Sequence, residues 1–359
     1  MDLLIAEPIE APVLQWLESR HRVQYAPELA HDARALRQSL FNVRAALLPS
    51  TVRVDEQLLA FAPVLSVVAR VGVGLENLDV EACVRAGVEV VRGAGATAAA
   101  EAEFLLGAVL ALLRGIDPHL PRPPVPRELA GATVGLIGLA PASRPLSAML
   151  SGFGSRLVGY DPSVHASDQL WGRWRVEPLP LQELLQSADA VCVQLPWYSR
   201  YQGLIGERHL GHCKPQQLIV STSHAALFEL EALAQALRSG RVAAAWLDSI
   251  DLGLFEPGRP LCGVPNLVTT ARLAGRTVEA RERAVWTVAQ QLDELLSQTT
   301  PGPRERRGGG PVSGPMPFEG AAGAAAEPLP VPEARELRAS VDEPPTDAPA
   351  ASGPAPGSR

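Results

Sequence analysis

The chain has 359 residues, 47% of them hydrophobic and 20% charged, with a formal net charge of −7. That length accommodates two ordinary domains with sizeable cores, and the balance of apolar and charged residues is that of a soluble globular protein. The acidic balance gives no basic footprint for DNA or RNA, no apolar run reaches the ~18 residues of a membrane span, and the four cysteines (Cys83, Cys192, Cys213, Cys262) form no CxxC pair or Cys/His cluster. Reduced thiols, no metal, no direct nucleic-acid partner and no membrane are expected. Met1–Ala6 lacks a basic leader region and the chain turns polar at Glu7, so the expected location is cytoplasmic.

Over residues 1–98 short β-rich runs alternate with amphipathic ones. Leu3–Ala6, Arg22–Tyr25, Val43–Leu48, Leu65–Arg70 and Val88–Val91 read as strands, and Ala11–Arg20, Asp32–Phe41, Asp55–Phe61 and Val80–Ala86 as helices. Strands alternating with helices predict a parallel sheet. A longer helix, Ala98–Arg114, leads to a proline-rich break at Pro118–Pro126.

The pattern restarts at Ala132. Thr133–Gly138, Arg156–Tyr160, Ala190–Leu195, Leu218–Thr222, Val242–Leu247 and Leu267–Thr270 read as strands of a second sheet, with helices at Pro145–Gly152, Leu181–Gln186 and Glu229–Ser239. In Ala280–Leu296 the apolar Ala284, Val288, Leu292 and Leu295 fall at helical spacing, so this last helix is predicted to pack back on the first unit. From Thr299 the chain turns to Pro, Gly and Ala, with Phe318 its one aromatic residue. Such a segment cannot bury enough apolar surface to offset its ordering entropy, and disorder is expected over 299–359, a partner-binding tail being the alternative.

Arg70-Val71-Gly72-Val73-Gly74-Leu75-Glu76-Asn77-Leu78-Asp79 resembles the RxGVGxDNID signature of the D-isomer-specific 2-hydroxyacid dehydrogenases. Ala102-Glu103-Phe104, Thr133 to Gly138, Gly159-Tyr160-Asp161-Pro162, Glu231 to Arg241 and Val264 to Thr270 resemble the same family in the same order, so the likeness spans about residues 1–297. It implies two Rossmann-like or flavodoxin-like parallel-sheet domains with a cleft between them. The substrate-type domain would be residues 1–98 completed by the helix 277–298, and the NAD-binding domain residues 99–276. It also implies NAD as cofactor, a small 2-hydroxy or 2-oxo acid as substrate and a homodimer. The residues themselves agree: a strand ending in Gly138, a helix, and Asp161 about 20 positions on make the arrangement in which a helix N-terminus receives pyrophosphate and a carboxylate holds ribose hydroxyls. Asp161 would repel a 2′-phosphate, which favours NAD over NADP. The alternative is that Asp161-Pro162 only ends a strand.

Several positions depart from the family pattern. The G-x-G-x-x-G fingerprint stands here as Gly138-Leu139-Ala140-Pro141-Ala142-Ser143. Ala140 puts a methyl group where backbone must approach pyrophosphate, Pro141 removes an N–H, and Ser143 replaces the packing glycine as the mildest change. NAD is expected to bind at Gly138, Ala140, Ser143, Asp161 and Asp248, weakened by the changes at Ala140, Pro141 and Ser143. The resemblance puts His224 where the family anchors the substrate carboxylate with Arg, and Arg272 where it uses a catalytic His. Gly253 falls in register with the family's Glu, Asp251 and Glu256 being nearby but out of step. Imidazole lacks the two-point guanidinium fork, and a guanidinium, which stays protonated, cannot exchange a proton near neutrality. Gly72, Val73 and Gly74 remain to offer backbone donors to a carboxylate. A slow or inactive dehydrogenase is expected. Resemblance to the C-terminal-binding-protein branch leaves open a non-catalytic regulatory or scaffold role, and a reciprocal exchange of the His224 and Arg272 roles is a further reading. Trp197-Tyr198 could floor a ligand pocket or form a packed loop. His209 and His212, with Cys213 adjacent, are read as solvent-facing helix positions rather than a metal site.

Overall fold

The computed structural model describes residues 1–72, 77–116, 125–248, 254 and 256–298. Val73, Gly74, Asp251, Gly253, most of the proline-rich break and the tail 299–359 lie outside the described residues. The first sheet-forming region runs β1 (Leu3–Ile5), α1 (Ala11–Glu18), β2 (Val23–Tyr25), α2 (Ala33–Leu40), β3 (Ala45–Leu47), α3 (Glu56–Ala60), β4 (Val67–Arg70), α4 (Val80–Arg85) and β5 (Glu89–Arg92). The long helix α5 (Ala98–Arg114) ends on Gly115, whose φ of 60° is the left-handed cap that favours glycine. The second region runs β6 (Thr133–Ile137), α6 (Ser143–Gly152), β7 (Arg156–Tyr160), α7 (Gln169–Arg173), β8 (Glu177–Pro178), α8 (Leu181–Ser187), β9 (Ala190–Val193), α9 (Glu207–Leu210), β10 (Gln217–Ser221), α10 (Leu230–Arg238), β11 (Val242–Leu247) and β12 (Leu267–Thr269). The last helix is α11 (Val278–Gln298).

The five-stranded sheet has the order β2-β1-β3-β4-β5 and the seven-stranded sheet β12-β11-β10-β9-β6-β7-β8, with neighbours parallel throughout. The first order is flavodoxin-like and the second is the doubly wound order with one strand added, so the two parallel-sheet α/β domains expected from the sequence are present. Successive side chains point to opposite faces, and both faces are covered. Leu4, Ala46 and Val68 pack with α2, α3 and α4, whereas Leu3, Ile5, Leu47 and Ala69 pack with α1 and with Ala284, Val285, Val288 and Leu292 of α11. The final helix thus lies on the first sheet. In the second sheet Ile137, Val193 and Ile219 face α8, α9 and α10, while Leu136, Cys192 and Val220 face α5 and α6.

The strand order sets where ligands can sit. β6 lies between β7 and β9, where the winding reverses, and the crevice beyond the carboxyl ends of such strands is the binding position of this topology. The short α7 and β8 escape the sequence reading, being too brief to show a period. α6 begins at Ser143 rather than Pro145, because a proline is tolerated in a first turn where its missing N–H has no helical partner. Cys83, Cys192 and Cys213 are buried as free thiols. Among the described residues no helix is long and apolar enough to cross a membrane.

Candidate active site

β6 delivers the chain to Gly138, whose φ is 94°. A Cβ there would lie 2.7 Å from the Leu195 nitrogen and 2.8 Å from its Cα, so both the turn and the approach of the next strand's exit require glycine. Ser143 does more than replace a packing glycine: its buried hydroxyl donates to the Gly138 carbonyl at 3.0 Å and its N–H to the Ala140 carbonyl at 2.9 Å, bracing the turn from inside. The buried Asp161, at the end of β7, accepts the Leu139 N–H on Oδ2 at 2.7 Å and the Ser163 N–H and hydroxyl on Oδ1 at 2.8 and 2.6 Å. With Leu139 and Ser143 engaged and Pro141 and Pro145 lacking a donor, the remaining N–H groups from 139 to 145 are those of Ala140, Ala142 and Arg144. The glycine turn, the start of α6 and the carboxylate one strand away fit a dinucleotide, with a cradle for pyrophosphate that is poorer in donors than the motif allows.

β9 and β10 are adjacent and in register, Val193 opposite Ser221, so the loops that follow them leave the same sheet edge together. From one comes Trp197 and from the other His224, and their rings stack with centroids 4.8 Å apart and planes 26° from parallel. Nδ1 of His224 accepts the Ala226 N–H at 3.1 Å, which leaves Nε2 to carry the proton of the neutral ring. Trp197 and Tyr198 are exposed, so they form a surface shelf rather than a closed floor. Beside them the Arg200 guanidinium lies 4.6 Å from the Tyr198 ring centre and 4.8 Å from that of Tyr201.

Asp248 follows β11 and is buried. Its Oδ1 accepts the Thr270 hydroxyl at 2.5 Å and the Leu273 N–H at 2.7 Å, and its Oδ2 the Ala274 N–H at 2.7 Å. The carboxylate therefore holds the turn that carries Arg272. That residue is exposed, with φ at 53°, a left-handed conformation unusual for a non-glycine side chain. Glu256 is exposed at the surface.

In the first sheet Arg70 is buried at the end of β4 and donates to the carbonyls of Val52 and Asn77 at 2.7 and 3.2 Å, tying Asn77 and the segment that follows β3 to the end of β4. Gly72 has open space around its α-carbon. Two acids here escape the sequence reading. Burial pushes Glu7, at the end of β1, above the usual carboxylate range against the pull of Arg281 and of a bond from the Val71 backbone. Burial likewise raises Glu101, on the first turn of α5, against a bond from Thr97 and with help from the charge of Asp248. Neither stands in a motif, and a first-turn Glu is an ordinary helix feature, so no local signal marks them.

His209 corrects the sequence reading: it is buried, because α9 packs against α8 and α10, and burial holds its imidazole below the ordinary range. His212 is exposed with Nδ1 3.1 Å from the Arg208 carbonyl, and the buried Cys213 thiol donates to the Leu210 carbonyl. Among the described residues no group of His, Cys, Asp and Glu could hold a metal ion.

Residues 117–274 match the family model for the NAD-binding domain of D-isomer specific 2-hydroxyacid dehydrogenases. The chain is 32% identical over 305 residues to a (S)-sulfolactate dehydrogenase of Chromohalobacter salexigens, covering 82% of this chain and 98% of that protein. It is 36% identical over 264 residues to a D-3-phosphoglycerate dehydrogenase of Mycobacterium tuberculosis, covering 70% of this chain but only 49% of that relative, about half its length. Among solved structures, the TT0316 protein from Thermus thermophilus superposes with a TM-score of 0.67 at 25% identity, over 84% of this chain and 99% of that one. The apo D-mandelate dehydrogenase of Rhodotorula graminis shares the fold, with a TM-score of 0.70 at 23% identity over 82% of this chain and 93% of that one. With its two parallel sheets, its NAD-binding domain and a relative matched over nearly its whole length, the chain belongs to the D-isomer-specific 2-hydroxyacid dehydrogenase family.

Proposed function

We propose that this protein is an NAD(H)-dependent oxidoreductase of small 2-hydroxy or 2-oxo acids that turns over slowly with ordinary family substrates. The observation that carries the reading is the Asp248 carboxylate, with three bonds fixing the turn at the family's histidine position while that turn presents the Arg272 guanidinium. In this reading the turn keeps its place and the group it presents is changed. Guanidinium anchors an anion well but holds its proton at any physiological pH, so it orients a carboxylate and does not exchange a proton with it.

In this reading residues 1–98 with 277–298 form the substrate-type domain and 99–276 the nucleotide-type domain, in a cytoplasmic homodimer. Gly138, Ala140 and Ser143 line the pyrophosphate turn and Asp161 meets the ribose hydroxyls. Asp248 acts toward the cofactor by fixing its turn, its oxygens being already engaged. Gly72, Val73 and Gly74 would offer backbone to the substrate carboxylate. NAD, when bound, supplies the hydride acceptor. The relatives named for sulfolactate and phosphoglycerate support an anionic three-carbon acid as one substrate class to try.

A second reading, a regulatory or scaffold protein on the same fold, is favoured by the Leu139 and Ser143 donors being spent inside the protein. NADH calorimetry followed by NADH oxidation with glyoxylate, pyruvate, hydroxypyruvate and phenylpyruvate separates them. Binding weaker than low micromolar with slow turnover is expected. No heat of binding and no turnover would discard the oxidoreductase reading for the second.

A further inference from the structure

Thr97 occupies the N-cap position of α5 but makes no side-chain cap to the helix. Its hydroxyl donates instead to Oε1 of Glu101 at 2.6 Å. The half-buried Glu101 carboxyl abuts the Asp248 turn: a Cβ on Gly275 would stand 3.1 Å from Thr97 Cγ2 and 3.5 Å from Glu101 Oε1. A first-turn acid usually works from solvent, through its charge at the helix N-terminus. Here the carboxyl is instead turned against the backbone of the segment that carries Arg272.

Among the described residues, the charged groups on the elements around this corner include Glu103 on α5, Asp248 after β11, Arg272 and Arg276 on the turn, and Glu279, Glu282 and Arg283 on α11. Arg283 Nε donates to the Ala96 carbonyl at 3.1 Å. Burial pushes the Glu101 carboxyl upward against the bond from the Thr97 hydroxyl, with a smaller upward push from the Asp248 charge. Burial of this kind raises the pKa of a carboxyl above its ordinary range.

We propose that Glu101 carries the proton in the interconversion of a 2-hydroxy and a 2-oxo acid at this site. The inference rests on the oxidoreductase reading given under Proposed function. In oxidation the C2–H bond breaks and its electron pair leaves as hydride to the oxidised nicotinamide. The substrate O–H proton passes to a Glu101 carboxylate oxygen as the C=O bond forms. In reduction the Glu101 carboxyl returns that proton to the carbonyl oxygen. Arg272, which cannot supply it, is left to hold the substrate's own carboxylate.

The test uses the full chain with NADH and glyoxylate or hydroxypyruvate. A Glu101→Gln side chain still accepts the Thr97 bond, so a purely structural role survives the change and a proton-carrying role does not. The expected result is a fall in kcat of about 10²–10⁴ for Glu101→Gln, with thermal midpoint and NADH affinity kept. In the native protein kcat/KM for reduction should decline with rising pH along the ionisation of Glu101. That ionisation, read by carboxyl carbon NMR and assigned by its loss in the variant, should lie above the ordinary ~4.3. Native kcat and an unaltered pH profile in Glu101→Gln, or an ordinary titration of this carboxyl, would overturn the proposal while leaving the oxidoreductase reading intact. A native protein that turns over none of these acids would overturn that reading, and the role of Glu101 with it.

Discussion

The indole of Trp197 lies against the imidazole of His224, ring centroids 4.8 Å apart, while the far nitrogen of the same imidazole is left to donate. One ring face and Nδ1 are thus fixed by residues from two different loops, so His224 is positioned rather than merely exposed. If proton transfer runs elsewhere, His224→Ala should change any NADH-linked turnover less than tenfold, and stability by about 1 kcal/mol for the lost cap to Ala226. Steady native turnover abolished by His224→Ala would show instead that the exchanged pair His224 and Arg272 is the working arrangement.

Gly138 is the position at which the nucleotide turn tolerates least. An added methyl would meet the Leu195 backbone at 2.7 Å, and φ of 94° is strained for any L side chain. Gly138→Ala should cost about 2–4 kcal/mol in urea unfolding, strain and overlap acting together. A loss below about 0.5 kcal/mol would mean that the turn rearranges freely.

Ala140→Gly with Pro141→Arg should strengthen NADH binding. The pair removes a methyl from the pyrophosphate approach, restores one N–H between the Ala140 and Ala142 donors, and adds a cation. Calorimetry of both forms checks this, and unchanged affinity would mean that the Ser143 and Asp161 bonds, not the missing donors, set the limit.

Acid should weaken the second domain through Asp189. Burial alone would raise its pKa, but Lys214, the Thr133 N–H and Arg127 together outweigh burial and hold it below the ordinary value. A carboxylate whose folded pKa is depressed stabilises fully above its unfolded pKa, near ~3.9, and loses that contribution as pH falls toward the folded value. Asp189→Asn should therefore lose more stability relative to the native protein at pH 6 than at pH 3, measured by denaturant midpoints. Equal losses at both would remove the ion pairs from the account.

Alternation of strand and helix patterns was enough to read two parallel-sheet units, and the heptad-like run Ala284, Val288, Leu292, Leu295 was enough to send α11 back to the first sheet. Both are local signals, because burying one face of an element imposes a period on its own residues. The family likeness was carried the same way, by short runs such as Thr133 to Gly138. What the tertiary structure decided lies in contacts between distant segments. Ser143 read as a mild loss and is in fact a buried brace on Gly138; His209 read as solvent-facing and is buried under neighbouring helices. Glu101 read as nothing, since its meaning depends on Gly275 and Asp248 arriving beside it from the chain that follows β12 and β11. A period in the chain reports which face is buried, whereas the protonation and partners of a polar group depend on what the fold brings against it.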